Sequence, residues 1–406
     1  MPDLFEHRVS VEQFATVGLF DSLTQFGPQF LKGGCLALLA FLDQPQAFPN
    51  DFARSLIPSR GHARLHELFE FRGKRHVQAG ANPAYPIHAT KSYCVNLCYK
   101  ATCSRSAPRY DEIYPVPETP LVSVVTPAFN AAEFLDETIR SVLAQDYPRL
   151  EYLVMDGGST DGTLAILERY RGRLQFVSAP DGGAADAINR GFRQSRGEIL
   201  AWLGADDLYL PGAISAAVAA LREDPAAAAV YGEGHWIDET GRTIGRYPTV
   251  APYSPAAFRR ECPICQPACF LRRPAVEAVG GLDASLQSAF DYDLWIRLSQ
   301  RYPFRAIPQY LAQSRMHRRN KSLGQKQRMF EECIQLLRRH YGYVPVSWIY
   351  GYVSFLRDRT DQFFTPLRLS PAAYLRSLLL GSRYNARHLL RYWKEWLAPI
   401  PARLRG

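Results

Sequence analysis

Between residues 121 and 210 short apolar runs alternate with stretches of helical spacing. Leu121–Thr126 is a continuous apolar, β-branched run, the pattern of a parallel strand covered on both faces. Phe134, Ile139, Val142 and Leu143 then recur with helical period, and Pro148 closes that helix. Glu151–Met155 reads as a second strand, Thr163–Tyr170 as a helix and Leu174–Val177 as a third strand. Ala184–Gln194 reads as a helix with Ile188 and Phe192 on its buried face, and Ile199–Leu203 as a fourth strand. Pro211 suits the first turn of the helix after it. This β-α-β-α order predicts a parallel sheet covered by helices. Ala268–Leu271 is a further strand-like run, and residues 291–298 open an amphipathic helix with Leu294, Trp295, Ile296 and Leu298 on its buried side. No fixed-period repeat interrupts this order.

The flanks read differently. Residues 1–115 mix short apolar pieces with Pro, Gly and His and carry no motif that assigns a role. They form an N-terminal appendage, joined through the Pro-rich stretch 108–120, which reads as a linker. Residues 116–340 form the central domain. Residues 341–406 form a basic, aromatic, helical tail. The length of 406 residues suits two or three domains. With 47% hydrophobic and 21% charged residues, disorder and fibrous classes are excluded. No apolar run reaches the roughly 18 residues a bilayer span needs; Gly33–Leu42 and Val344–Leu356 come nearest. Met1–Ser10 leads into no apolar segment, so no secretory signal is expected.

Charge changes the picture of the tail. The chain carries 48 Lys+Arg against 39 Asp+Glu, a net charge of +9. From Tyr341 onward there are ten Lys/Arg against three Asp/Glu, together with thirteen aromatic residues. Arg376, Arg383, Arg387, Arg391 and Lys394 recur at near-helical spacing beside Leu375, Leu379, Leu390 and Trp393. Basic residues interleaved with Trp, Tyr and Leu suit an anionic membrane surface. A helical tail packed on its own domain with a solvated basic face is the plainer reading. No nucleic-acid reader motif is present, and nucleic acid is not an expected partner. Eight cysteines without a secretory signal point to a reducing compartment. Cys94, Cys98 and Cys103, and the run Cys262, Cys265 and Cys269, are close enough to consider a metal cluster. The double C-x2-C pairing is absent, so buried free thiols are expected.

The candidate chemistry lies in polar loops after the strands. In an open α/β sheet, ligands bind at the carboxyl edge. Asp156-Gly157-Gly158 follows the second strand, and its glycines let backbone approach a ligand closely. Asp206 and Asp207 follow the fourth strand; paired hard oxygen ligands suit Mg2+ or Mn2+ bridging phosphate oxygens. Asp291 stands at a helix start, where it can cap the helix or act as a general base. His317, in a basic stretch, can ligate a metal, contact a phosphate or simply be exposed.

The segments 122–130 (VSVVTPAFN), 152–163 (YLVMDGGSTDGT), 186–191 (DAINRG), 197–210 (GEILAWLGADDLYL) and 280–298 (GGLD…DYDLWIRL) together resemble family 2 glycosyltransferases of the GT-A fold. The resemblance runs over roughly residues 121–320. It implies an α/β, Rossmann-like nucleotide-diphospho-sugar transferase domain. It also implies a nucleotide-sugar donor, a divalent cation (Mg2+ or Mn2+) and inversion at the anomeric carbon. Carried over by position, Pro127, Phe129 and Asp156 are donor-binding residues at the base, and Asp186 and Arg190 border the donor pocket. Asp206 and Asp207 match the DxD-type metal motif, with Asp207 preferred as direct ligand beside His317. Asp291 matches the catalytic base, with Asp293 as its fallback. Gly157 departs from the second Asp common at that place, which leaves the nucleotide open. The processive members' Q-x-x-R-W motif has no counterpart in Gln300-Arg301-Tyr302-Pro303, so single addition is expected. The implied setting is cell-surface polysaccharide or glycolipid synthesis. The acceptor would be a saccharide or lipid-linked, and the enzyme cytoplasmic, peripheral at the inner face of the membrane. A nucleotidyltransferase of similar topology and a non-catalytic, membrane-docked scaffold of the same fold are the alternatives.

Overall fold

The computed structural model describes residues 117–360, 362 and 370–398. The reading of Gly33–Leu42, the cysteines at 94, 98 and 103, and nearly all of the appendage and linker therefore lie outside the described residues. In chain order the elements are β1 (Val122–Ala128), α1 (Leu135–Leu143), β2 (Leu150–Asp156), α2 (Thr163–Arg169), β3 (Gln175–Ser178), α3 (Ala184–Gln194), β4 (Ile199–Trp202) and β5 (Leu208–Tyr209). There follow α4 (Ala213–Glu223), β6 (Ala229–Ile237), β7 (Thr243–Arg246), β8 (Cys269–Arg272), α5 (Arg273–Ala278), α6 (Phe290–Ser299) and β9 (Phe304–Arg315). The chain continues through α7 (Lys321–Gly324), α8 (Lys326–Tyr341), α9 (Val346–Asp358), α10 (Pro371–Tyr384) and α11 (Leu389–Leu397).

The sheet runs β3-β2-β1-β4-β8-β6-β9-β5, with β7 paired to β6. Its first four strands are parallel, as the sequence pattern predicts. The remainder is mixed: β8 is antiparallel to β4 and β6, and β9 is parallel to β6. There β8 enters from a loop rather than from a crossover helix, and it runs antiparallel to β4. The helix after β5 begins at Ala213, not at Pro211, because Gly212 takes a left-handed conformation (φ 75°) just before it.

Strand periodicity divides the core between two layers of helices. Val124, Tyr152, Val154, Ile199 and Ala201 pack on one face of the sheet with Leu135, Ile139 and Leu167 from α1 and α2. Their chain neighbours Val125, Leu153, Met155, Leu200 and Trp202 pack on the other face with Ile188 and Phe192 of α3. The period of two along each strand thus feeds both layers. The second layer continues without a break into α6, α8 and α9, through Trp295, Ile334, Leu337, Ile349 and Tyr350. Trp202 and Trp295 stack at its centre with ring centroids 5.3 Å apart. Helix α6 is buried on more than one side, since Phe290, Tyr292 and Asp293 are covered as well as the four predicted residues. It is a core helix, and only Asp291 in its first turn retains access to solvent.

Candidate active site

Parallel pairing aligns the carboxyl ends of three strands. Ala128 of β1 is opposite Asp156 of β2, which is opposite Ser178 of β3. Asp156 is 2% exposed, and both of its carboxylate oxygens are engaged. Ser178 donates to Oδ2 at 2.5 Å, the Ser159 amide donates to the same oxygen at 3.1 Å, and the Ser159 hydroxyl donates to Oδ1. The side chain therefore shapes the loop 156–160. Pro127 is half-buried at the end of β1, while Phe129 is 66% exposed, an aromatic ring with no core to fill. A Cβ on Gly157 would lie 3.0 Å from the Asp181 carboxylate. Asp181, which sequence reasoning did not single out, thus stands where a side chain at 157 would project.

Asp186 and Arg190 pair one helical turn apart on α3 at 2.7 Å. Asp186 also accepts from the Gly182 amide, and Arg190 donates to the Pro180 carbonyl. They brace the turn 180–183 at the start of α3. The Gly182 amide and the Arg190 charge together hold the Asp186 carboxyl below its ordinary range.

The acidic loop after β4 is organised by a residue the sequence reading did not single out. Arg315, at the end of β9, has a fully buried side chain. Its Nε donates to the Asp206 carbonyl and its other nitrogens reach the Asp238 and Glu239 carbonyls and the Glu137 carboxylate. The guanidinium lies over the Phe134 ring at 4.6 Å. Its backbone amide donates to Asp207 Oδ1 at 3.0 Å. In sequence Arg315 is one of several arginines around His317, and nothing local distinguishes the buried one.

Asp206 is the more open of the two acids, and Asp207 is 8% exposed. Asp206 Oδ2 lies 2.9 Å from Nε2 of His317, whose Nδ1 is buried without a partner. A Cβ on Gly204 would be 2.8 Å from both Asp206 Oδ1 and Asp207 Oδ2, so two carboxylate oxygens converge on one point. Burial, and then the adjacent Asp206 charge, push the Asp207 carboxyl up to about 8. The Arg315 amide and charge oppose this rise without cancelling it. The donor chemistry fits a hard divalent cation whose coordination is completed by phosphate oxygens. Among the described residues no group of three or more His, Cys, Asp or Glu side chains is placed to hold a metal ion.

Asp291 lies within the first turn of α6, whose N-cap is Ala289 without a side-chain cap bond, and it accepts from the adjacent Tyr292 amide at 2.7 Å. Burial outweighs that bond and the nearby Lys321 charge, and lifts the carboxyl to about 6. Asp293, the fallback base, is 1% exposed and is clamped by Arg297 at 2.7 Å and by His340 at 2.8 Å. Its carboxyl is held below the ordinary range: the His340 bond and Arg297 outweigh burial, which alone would raise it. Asp293 ties α6 to α8 and has no free face for an acceptor. Asp293→Ala should leave the Arg297 guanidinium without its buried partner and cost about 3 kcal/mol, read by chemical denaturation. Because the folded-state value is lowered, this stabilisation is complete above the unfolded value and is lost as pH falls through the folded one.

The segment 315–321 joins the two acidic centres. His317 touches Asp206, and four residues later Lys321 Nζ donates to the Gln287 carbonyl at 2.8 Å, in the loop that leads into α6. Four residues of backbone span at most about 14 Å, so this segment links the metal-type loop to the loop that precedes Asp291. Glu332 fixes that loop by accepting from the amides of Gln287, Ser288 and Ala289. In the run Cys262, Cys265 and Cys269 all three thiols are free, and burial pushes each of them up.

Residues 123–280 match the model of the glycosyl transferase family 2. That match lies within the α/β region and spans under half of the chain, and a helical region follows it. The chain is 29% identical over 267 residues to an uncharacterised glycosyltransferase of Rickettsia conorii, covering 63% of this chain and 41% of that protein. It is 30% identical over 243 residues to the chondroitin synthase of Escherichia coli, covering 56% and 35%. A crystal structure of residues 1–349 of S. aureus TarS in complex with UDP-GlcNAc is similar with a TM-score of 0.46 and 17% identity, covering 68% of this chain and 88% of that one. The chain spans about two fifths of the length of the curated relatives it matches.

Proposed function

We propose that this protein moves a sugar from a nucleotide-diphospho-sugar donor to an acceptor hydroxyl with inversion. What supports this reading is two different acidic centres, one on each side of the segment 315–321. One is a carboxylate pair in which burial holds one acid high; the other is a lone carboxyl poised near neutrality. Asp206, Asp207 and His317 would hold a divalent cation, whose chemistry there is to offset the charge gathered by the departing diphosphate. Asp156 keeps the nucleotide-side loop in shape, and Phe129 and Pro127 offer an apolar surface for the base. Asp186 and Arg190 hold the turn that borders the donor. Asp291 accepts the proton of the acceptor hydroxyl as its oxygen bonds to the anomeric carbon. The anomeric C–O bond to the diphosphate breaks on the opposite side, and a nucleoside diphosphate leaves. No covalent sugar–enzyme intermediate is needed.

The likeness to a chondroitin synthase supports a role in polysaccharide or glycolipid synthesis. A saccharide or lipid-linked acceptor, met at the inner face of the cell membrane, completes the reading. Among the described residues no helix is long and apolar enough to cross a membrane.

The test is a thermal-shift screen of the full chain with UDP, GDP, dTDP and CDP, each with Mn2+ and with EDTA. A ligand present at about 100 times its dissociation constant stabilises the native state by roughly 2.7 kcal/mol. One nucleotide should give a shift that requires Mn2+, and the matching nucleotide-sugar should release nucleoside diphosphate. Release of pyrophosphate would make the protein a nucleotidyltransferase, and the absence of any shift on folded protein would defeat the donor site.

A further inference from the structure

Helix α11 has two faces of different fate. Its inner face is committed to the fold. Tyr392 is fully buried and donates to the Ser377 carbonyl at 2.7 Å. Trp396 Nε1 donates to the Tyr374 carbonyl and lies 3.1 Å from Ser377 Oγ. Glu395 accepts from the Val346 amide at 3.0 Å and from the Tyr343 hydroxyl. These contacts fix the helix against α9 and α10 without help from the other face.

That other face is apolar. Leu390 is 74% exposed, Trp393 45% and Leu397 68%, at positions i, i+3 and i+7, which share one side of a helix. Leu389 beside them and Leu375 on α10 are exposed too. The charge around the stripe has one sign. Residues 371–398 contain five Lys/Arg and a single acid, Glu395, which points inward. Arg376, Arg383, Arg387 and Lys394 are exposed and make no ion pair among the described residues. Arg391 lies over the Tyr343 ring instead. A fold selected only for solubility would place charge of mixed sign on such a helix and keep leucines off its outer side.

We propose that the outer face of α11, with the basic residues of α10 and α11, docks on an anionic lipid bilayer. The helix lies in the interface plane, with Leu390 and Leu397 among the acyl chains and Trp393 at headgroup depth. Arg376, Arg387 and Lys394 face the lipid phosphates. A second copy of the chain is disfavoured as occupant, because two faces of this charge would repel each other. The docking is independent of the transfer reaction, and so is its test.

The experiment is flotation of the full chain with vesicles of phosphatidylcholine, with and without phosphatidylglycerol. The wild type should float with the phosphatidylglycerol vesicles, more weakly as salt is raised, and not with phosphatidylcholine alone. Two variants separate the components: L390E/L397E removes the apolar stripe, and R376E/R387E/K394E reverses the charge. Each should bind about tenfold more weakly or worse. Both change exposed side chains, so circular dichroism and thermal midpoint should match the wild type. No flotation of the wild type, or flotation of both variants undiminished from the wild type, would overturn the proposal. So would conversion of a dimer to a monomer by L390E/L397E in sedimentation, which would make this face a contact between copies.

Discussion

Asp291→Asn should lower kcat by about 10²–10⁴-fold while leaving metal-dependent nucleotide binding intact. The asparagine keeps an oxygen for the Tyr292 amide, so the helix start is preserved. What it loses is a site for the acceptor's proton. The pH profile provides a second reading. A base works only when ionised, and burial places this carboxyl at about 6. Wild-type kcat/KM should therefore fall as pH drops through that value, and the residual rate of the variant should lack this limb. Stability points the other way. The folded value lies above the unfolded one, so ionising Asp291 costs native stability as pH rises between about 4 and 6. At neutral pH the variant should be at least as stable as the wild type. A variant that kept wild-type turnover would remove Asp291 from the reaction, and one that lost both turnover and nucleotide binding would assign it to the donor site.

The legible parts of the molecule are those governed by local pattern. Strands β1, β2 and β4 carry uninterrupted apolar runs because both faces are covered, and that pattern places Asp156 and the 206–207 pair at the carboxyl edge. Beyond β4 only β8 was legible, as the strand-like run at 268–271; its antiparallel pairing and the strands β6, β7 and β9 were not. Strand β9 spans Phe304–Arg315 with Gln309 and Tyr310 turned outward, and its pairing with β6 depends on contacts some 75 residues apart in sequence. Arg315 shows the same limit at one residue. Its role rests on being buried under Phe134 while its donors meet carbonyls of two distant loops, which no window of sequence reveals. Asp293 was legible as an acid beside Asp291, but not as a clamped one. Only the approach of His340 from α8 distinguishes it.

The second large effect is expected at Asp207. Asp207→Asn should abolish the stabilisation that nucleotide and Mn2+ give together, yet raise the stability of the metal-free protein. Both outcomes have one cause. Asp207 is buried beside Asp206, and burial and that charge together hold its carboxyl near 8. Without a cation the ionised pair opposes folding; with one, the same carboxylates become the ligands. The sign follows from proton counting. Between about 4 and 8 the native state holds a proton that the unfolded chain has released, so metal-free stability falls as pH rises through that window. Asparagine removes this slope. It keeps an acceptor for the Arg315 amide and cannot ionise, and a gain on the order of 1 kcal/mol in EDTA is expected at neutral pH. Thermal midpoints of wild type and variant, measured across pH in EDTA and again with Mn2+ and nucleotide, give both halves. A variant less stable than wild type in EDTA would make Asp207 a structural acid held by Arg315. A variant with an undiminished Mn2+-dependent shift would leave Asp206 and His317 to hold the cation.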